Sequence, residues 1–411
     1  MAGILALMLA GGRVNELDVL TYFRPKSVLP FGALYRIIDF PMSNLMNSDI
    51  ERVGILSQYR PLRLIGHIAN GQPWDMAGRN RFATILPPFK GREASDWYKG
   101  TADAVYQNLD FIRMTRPDLI LILSGDHIYK MDYRALIKFH LEKKADLTIG
   151  FTPLPKEGAN RFGQGAIAGW SRSGGIVTRY AEKPSKRMLD WASLTIYVFK
   201  PQLLYEALEA NASKDSHEFG KDIIPALLGS SKVFGFKHYG YWGYTRTLEE
   251  YWQTNMDLLG KQPLIDLASW QVMTNMADRN IRDCPPTVIG PSASVEDSLF
   301  YSGCDIQGSV TRSVLFPGVT VEKGAVVKDS ILFFDTKVRK EASIVRAITD
   351  IEATIGEKAQ VGDDPRGALS VIGTRSAVPE ETIIHSGVIV HPNMNAGRFS
   401  RKEYASGEVV K

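Results

Sequence analysis

Cysteine is almost missing: Cys284 and Cys304 are the only two in 411 residues. Two thiols in a chain of this length make no disulfide framework, and their scarcity fits a reducing cytoplasm. Long apolar runs are missing too. None approaches the ~18 residues a membrane helix requires, so no span is expected. The apolar start, Ile4 to Met8, runs straight into Gly11-Gly12 with no basic segment before it and no cleavage signal after it. That reads as a first strand and not as a signal peptide. Nor is there an excess of either charge. The 49 basic and 45 acidic residues leave a net +4, too little to argue for nucleic acid or a membrane surface. His127 has no second histidine at metal-ligand spacing and reads as structural.

What is present is an ordinary globular composition, 44% hydrophobic and 23% charged. At roughly 100–200 residues per domain, two domains are the default. Apolar strand-like runs (Ile4–Leu9, Arg52–Ser57, Leu119–Leu123, Asp146–Phe151, Ile176–Tyr180, Thr195–Phe199) alternate with amphipathic stretches such as Ala102–Met114 and Tyr133–Lys143. This predicts a Rossmann-like α/β domain over 1–260 with a mostly parallel sheet covered on both faces. Residues 261–284 have no clear period and read as a linker. After about Pro285 aliphatic residues recur near a six-residue spacing, which predicts a left-handed parallel β-helix over 285–411. A Ser/Gly/Val-rich antiparallel sandwich is the alternative. The last fifteen residues are polar and read as a loose surface tail.

The most informative segment is Leu9-Ala10-Gly11-Gly12-Arg13-Val14-Asn15-Glu16-Leu17. A buried strand running into glycines is a phosphate-loop pattern, because glycine lets backbone N–H groups approach phosphate. Glu16 is the wrong charge for the far end of such a loop. Asp126, in Ser124-Gly125-Asp126-His127, ends a buried run and could hold Mg²⁺ or cap the next helix. In Tyr98-Lys99-Gly100-Thr101-Ala102-Asp103, Thr101 reads as a helix N-cap and Asp103 favours the same helix end, an arrangement compatible with base or ribose contacts. Lys183, in Glu182-Lys183-Pro184, is a point charge for a sugar phosphate or a solvated turn lysine. Glu218 to Pro225 is a Gly-Lys-Asp turn before an apolar helix, and Arg24-Pro25-Lys26 is a basic pair in an extended segment.

Taken in order, these segments resemble the sugar-1-phosphate nucleotidylyltransferases, most of all the ADP-glucose pyrophosphorylases. The matching text includes Phe31-Gly32, Tyr35 to Phe40, Ser43-Asn44, Gln58-Tyr59, Trp97 to Asn108, Ser124 to Tyr133, Glu182-Lys183-Pro184, Ala192-Ser193, Ile196 to Phe199 and Phe219 to Pro225. The resemblance implies the reaction of ATP with glucose 1-phosphate to give ADP-glucose and pyrophosphate in glycogen synthesis, with Mg²⁺. It implies that Gly11, Gly12 and Arg13 cradle the nucleotide, and that Gln58, Trp97, Tyr98, Gly100 and Asp103 surround base and ribose. Asp126 would hold the metal, Glu182, Lys183 and Ser193 would face the glucose phosphate, and Lys26 would serve catalysis. Arg24, Lys26, Arg36 and Arg60 make an anionic sugar phosphate, or phosphate itself, the expected effector. A homo- or hetero-tetramer is implied as well.

Two segments depart from the family pattern. Its loop reads Gly-Gly-Arg-Gly, a small polar residue, then Arg; here Val14, Asn15 and Glu16 stand in the last three places. Its Tyr-Trp-Arg-Asp-Val-Gly-Thr segment carries a second metal carboxylate, and here Tyr244 occupies that place within Tyr241 to Thr247. Losing one electrostatic donor in a transition state costs about 10²–10³ in rate. The expectation is a subunit weakly active or inactive alone and regulatory beside a catalytic paralogue. The alternatives are an active adenylyltransferase in which Lys26 or Arg246 supplies the missing charge, a non-enzymatic scaffold, and a β-helix acyltransferase.

Overall fold

The structure, a computed structural model, describes residues 3–89 and 97–411. Packing divides the chain into two compact units that do not follow sequence order. Met1–Gly12 joins Phe40–Trp242, and Arg13–Asp39 joins Gly243–Lys411. The phosphate-loop text is thereby split directly after Gly12.

The first unit is built on nine strands: β1 (Ile4–Leu9), β2 (Arg52–Leu56), β3 (Phe82–Leu86), β4 (Leu119–Ser124), β5 (Leu147–Pro153), β6 (Gln164–Ser171), β7 (Gly174–Ala181), β8 (Trp191–Phe199) and β9 (Val233–Lys237). Their order is β3-β2-β1-β4-β8-β5-β9-β7-β6. Strands β3, β2, β1 and β4 are mutually parallel, as are β5 and β9. β8 runs against both β4 and β5, and β7 runs against β9 and β6. The sheet is therefore mixed although mostly of one direction. The six strands expected from the sequence are all present. Composition alone could not show that the last two, β7 and β8, are the reversed ones. Leu5, Leu7, Ile120, Ile122, Phe151, Tyr197 and Phe199 form one buried cluster with Phe219 and Ile223.

The stretch Ala102–Met114, expected as one helix, is two: Thr101–Tyr106 and Leu109–Thr115. Asn108 breaks it. Its side-chain amide donates to Ala104 O at 2.8 Å and so takes the carbonyl its own backbone N–H would use, the usual way such residues compete with helix. Gly100, and not Thr101, occupies the N-cap position.

The second unit contains three parallel sheets of short strands, six, seven and seven in number, which together make the left-handed β-helix. Ile306, Val321, Val338, Ile355 and Val378 stack in one inward column. Val310, Val327, Ile344, Val361 and Ile384 stack in a second. All ten side chains are buried, the burial that no coil could achieve alone. The antiparallel-sandwich alternative is excluded by this pairing. Residues read as a loose tail instead supply the last coil: Glu403–Tyr404 pairs with Ile383–Ile384, and Val409–Val410 with Ile389–Val390.

With this β-helix pack the segment Arg13–Asp39 and the helix Leu248–Met256, which opens with a reciprocal capping box between Thr247 and Glu250. Trp252 Nε1 donates to Asp329 O at 2.7 Å, and Tyr251 donates to Pro30 O. Arg24 pairs with Asp350, both side chains buried, and the Tyr22 ring meets the His391 ring edge-on at 5.5 Å. No helix among the described residues is long and apolar enough to cross a membrane.

Candidate functional site

In the first unit, Leu9 of β1 lies beside Ser124 of β4, so two parallel strands end together. Open α/β sheets bind ligands at such ends. Ala10 N–H donates to Leu56 O at 2.9 Å, Tyr59 N–H to Gly11 O at 3.3 Å and Gly125 N–H to Leu9 O at 2.9 Å, which ties the loop to both neighbours. The two glycines do different things. A Cβ on Gly11 would stand 3.0 Å from Gln58 N and 3.1 Å from Ser57 Cα, whereas a Cβ on Gly12 would meet nothing within 4 Å. Gly11 sits tight against the Ser57–Gln58 backbone, and among the described residues Gly12 faces open space.

Asp126 follows at the same edge, its side chain 28% exposed. Ser124 Oγ donates to its carboxylate, and His127 Nε2 lies 3.4 Å away. His127 is buried and stacks edge-on with Trp242 at 5.4 Å, a structural placement. Among the described residues no group of three or more His, Cys, Asp or Glu side chains could hold a metal. One partly exposed carboxylate nevertheless suits Mg²⁺, which takes one or two carboxylates and fills its shell with phosphate and water.

The residues expected around base and ribose act largely on one another. Gln58 Oε1 accepts from Tyr98 N–H at 2.7 Å, and Gln58 Nε2 donates to Tyr98 O at 3.3 Å. Tyr98 is held by Leu86 O and Asn108, and burial raises its phenol pKa. Asp103 accepts from Lys99 N–H and Gln107 Nε2, each at 2.8 Å. A Cβ on Gly100 would come within 2.2 Å of His217 O. Thr101 Oγ1 donates to Glu218 Oε2 at 2.5 Å and accepts from Phe219 N–H at 3.1 Å. Trp97, by contrast, is 70% exposed. These bonds make a rigid rim, and Trp97 is the member whose ring is open to a ligand.

Glu182 and Ser193 meet in a second corner together with residues the sequence did not single out. Tyr180 O–H donates to Glu182 Oε2 at 3.0 Å. A Cβ on Gly163 would lie 2.6 Å from Glu182 Oε2, and one on Gly220 would lie 2.0 Å from it. Both glycines thus leave room for that carboxylate. Ser193 N–H donates to Gly163 O at 2.8 Å. Burial pushes the Tyr180 and Tyr197 phenols up, with Glu182 adding to both and Ser193 opposing. Lys183 is half exposed, 3.7 Å from Glu182, with φ of +42°, a strained backbone for a lysine. Gly163 and Tyr180 had no sequence signal beyond a lone glycine and a strand-end aromatic.

In the second unit, the two departures from the family pattern are physically connected. Arg246 Nε donates to Glu16 Oε1 at 3.0 Å, and Arg246 Nη1 donates to Tyr244 Oη at 3.2 Å. Lys26 is fully buried. Its Nζ donates to Tyr244 O at 2.6 Å and lies 5.2 Å from the centre of the Tyr244 ring. Arg13 lies over the Tyr22 ring at 5.3 Å. Of the effector candidates, Arg24 is paired with Asp350 and Arg36 Nη2 with Asp278 at 2.9 Å. Burial lowers the Arg36 pKa against the pull of Asp278. Arg60, in the first unit, sits in a turn with φ of +40°.

Residues 5–261 match the nucleotidyl transferase family, and residues 288–371 match a GlmU-like C-terminal hexapeptide family. The chain is 37% identical over 423 residues to the glucose-1-phosphate adenylyltransferase of Acetivibrio thermocellus, covering 99% of this chain and 97% of the relative. The chain belongs to the glucose-1-phosphate adenylyltransferase family. The member from Thermotoga neapolitana is 39% identical over 427 residues, covering 100% of this chain and 99% of the relative. The member from Geobacillus stearothermophilus is 44% identical over 329 residues, covering 79% and 83%.

Proposed function

We propose that this chain is a subunit of the ADP-glucose pyrophosphorylase type that binds nucleotide and sugar phosphate, turns over weakly or not at all alone, and regulates a catalytic paralogue within a tetramer. The observation that carries this reading is the Glu16–Arg246 pair. At the loop position where the family has a cation, this chain places a carboxylate and neutralises the nearby guanidinium with it. In the family reaction the sugar phosphate oxygen attacks the α-phosphorus of ATP in line, and pyrophosphate leaves. Positioning and electrostatics do most of such work, so a missing cation is felt in the rate more than in binding.

The binding side of the reading is supported by what is retained. Gly12 opens toward space that phosphates could fill, Trp97 offers an exposed ring, and Glu182, Lys183 and Ser193 share one corner. Asp126 would hold Mg²⁺, which supplies charge neutralisation at the phosphates when bound. Within that scheme Lys26 is fixed by Tyr244, and Arg24 and Arg36 hold their segment in place.

Pyrophosphate release by the purified chain, supplied with ATP, glucose 1-phosphate and Mg²⁺, tests the proposal. Turnover in the usual range of roughly 1–10³ s⁻¹ overturns it. Absence of turnover, together with a changed KM or effector response when the chain is assembled with an active family member, supports it. The second reading, an active adenylyltransferase in which Arg246 supplies the charge, is favoured by the partial exposure of that guanidinium.

A further inference from the structure

Arg246 is more than a neutralised remnant. Its Nε is held by Glu16 and its Nη1 by the Tyr244 hydroxyl, while its backbone N–H donates to Glu250 Oε2 at 3.0 Å. Among the described residues Nη2 makes no hydrogen bond. The side chain is 35% exposed and so reaches solvent. A guanidinium is a planar fork of five donors, and fixing one edge aims the other. Burial works against its charge, but Tyr244 and Glu16 outweigh that and raise its pKa. Two other charged side chains here have partners of their own. The Glu250 carboxylate is turned to the backbone N–H groups of Arg246 and Thr247, at 3.0 and 3.2 Å. Lys26 is at the Tyr244 carbonyl and ring face.

We propose that Arg246 is a phosphate-binding residue of this chain, and that Glu16 and Tyr244 are the positioning residues that present its free edge to a polyphosphate. The assignment concerns the second unit's own residues Glu16, Tyr244 and Arg246, and it rests on the proposed reading that this chain binds ATP. Glu16 alone would repel a polyphosphate. Paired with Arg246 it orients a donor, which reverses the expected effect of removing its charge. Charge-assisted bonds to phosphate are the strong class of hydrogen bond, and a preoriented guanidinium loses little freedom in forming one.

Calorimetric titration of the full chain with ATP and with inorganic tripolyphosphate tests this. Arg246→Gln should weaken both ligands by about 10- to 100-fold. Equal losses place the missing contact on phosphate. Glu16→Gln should weaken ATP by about 3- to 10-fold, because the orienting charge is gone. Tyr244→Phe should act in the same direction and keep the ring under Lys26. Should Arg246→Gln fail to fold, Arg246→Lys, which keeps the charge and loses the fork, carries the test with a several-fold loss. Unchanged affinity in the Arg246 variants overturns the assignment. So does a loss confined to ATP, tighter ATP binding by Glu16→Gln, or a native chain that binds no tripolyphosphate at millimolar concentration. Turnover is a separate readout: an active native chain defeats the regulatory reading and leaves the Arg246 contact standing.

Discussion

Glu16 Oε1 and Arg246 Nε lie 3.0 Å apart, which joins two sequence changes 230 positions distant into one unit. From the sequence Glu16 and Tyr244 look like separate losses at two motifs. In the fold Glu16 and Arg246 are partners, and Tyr244 is bonded to the same guanidinium. An exposed pair of this kind contributes only about 0–1 kcal/mol, so its interest lies in the charge it places and not in stability.

Restoring the family cation by Glu16→Arg alone should give no gain in pyrophosphate release, since it sets a second guanidinium beside Arg246. The triple variant Glu16→Arg, Tyr244→Asp, Arg246→Gly restores all three family residues at once. It should raise the rate by about 10²–10³ over the native chain. A folded triple variant with unchanged rate would show that the defect lies elsewhere.

The two glycines of the phosphate loop should separate in their effects. Gly11→Ala crowds the backbone of Ser57 and Gln58 and should destabilise the first unit by about 1–3 kcal/mol in urea melts. Gly12→Ala meets no protein atom within 4 Å, so it should leave stability unchanged and weaken ATP in titrations. Equal melting penalties for the two would contradict this division of labour.

Arg24 and Asp350 form a buried ion pair, their side chains 9% and 2% exposed. Asp350→Asn leaves the guanidinium buried without its counter-charge and should cost about 3–5 kcal/mol. Replacing both, as Arg24→Met with Asp350→Leu, should recover most of that loss. Denaturation monitored on the second unit's transition checks both, and a double variant no better than the single would refute the charge argument.

His385 lies between Glu403, 2.9 Å from Nε2, and Asp363, 2.5 Å from Nδ1. The hydrogen bonds that Glu403 and Asp363 accept from His385 raise its pKa above its ordinary 6.5, and the bonds from His385 and Ser386 hold Asp363 down to about 2. The sign follows from linkage. The histidine's contribution is complete below pH 6.5 and is lost as pH rises through its folded value. The carboxylate's is complete above 3.8 and is lost as pH falls toward 2. The clasp should be strongest between those limits. NMR titration should find the His385 pKa above 6.5 and find it lowered by Asp363→Asn. An unshifted pKa in the native chain would remove the clasp.

Much of the architecture was legible because its signals are local. Buried parallel strands read as continuous Ile/Leu/Val runs, and stacked coils read as a six-residue period, so both halves were visible without coordinates. The reversal of β7 and β8 was not, since an apolar run carries no direction. The broken helix at Asn108 depended on one side chain choosing Ala104 O. Asp126 and Glu182 drew notice in the sequence because they follow strand-like runs, but Gly163 and Gly220 owe their role to the Glu182 carboxylate lodged against them, a contact between segments far apart in sequence.

The sequence by itself determined the family and the two fold classes, and it carries Glu16 and Tyr244 where the family resemblance leads one to expect an arginine and an aspartate. Tertiary structure decided what those replacements touch. It also decided that Arg13–Asp39 packs with Gly243–Lys411. Sequence order says nothing about that choice, because it is made by long-range partners: Asp350 for Arg24, Asp278 for Arg36, Tyr244 for Lys26 and Arg246 for Glu16. Burial of charge demands a counter-charge or a carbonyl wherever one is supplied, and only the folded chain shows where that is.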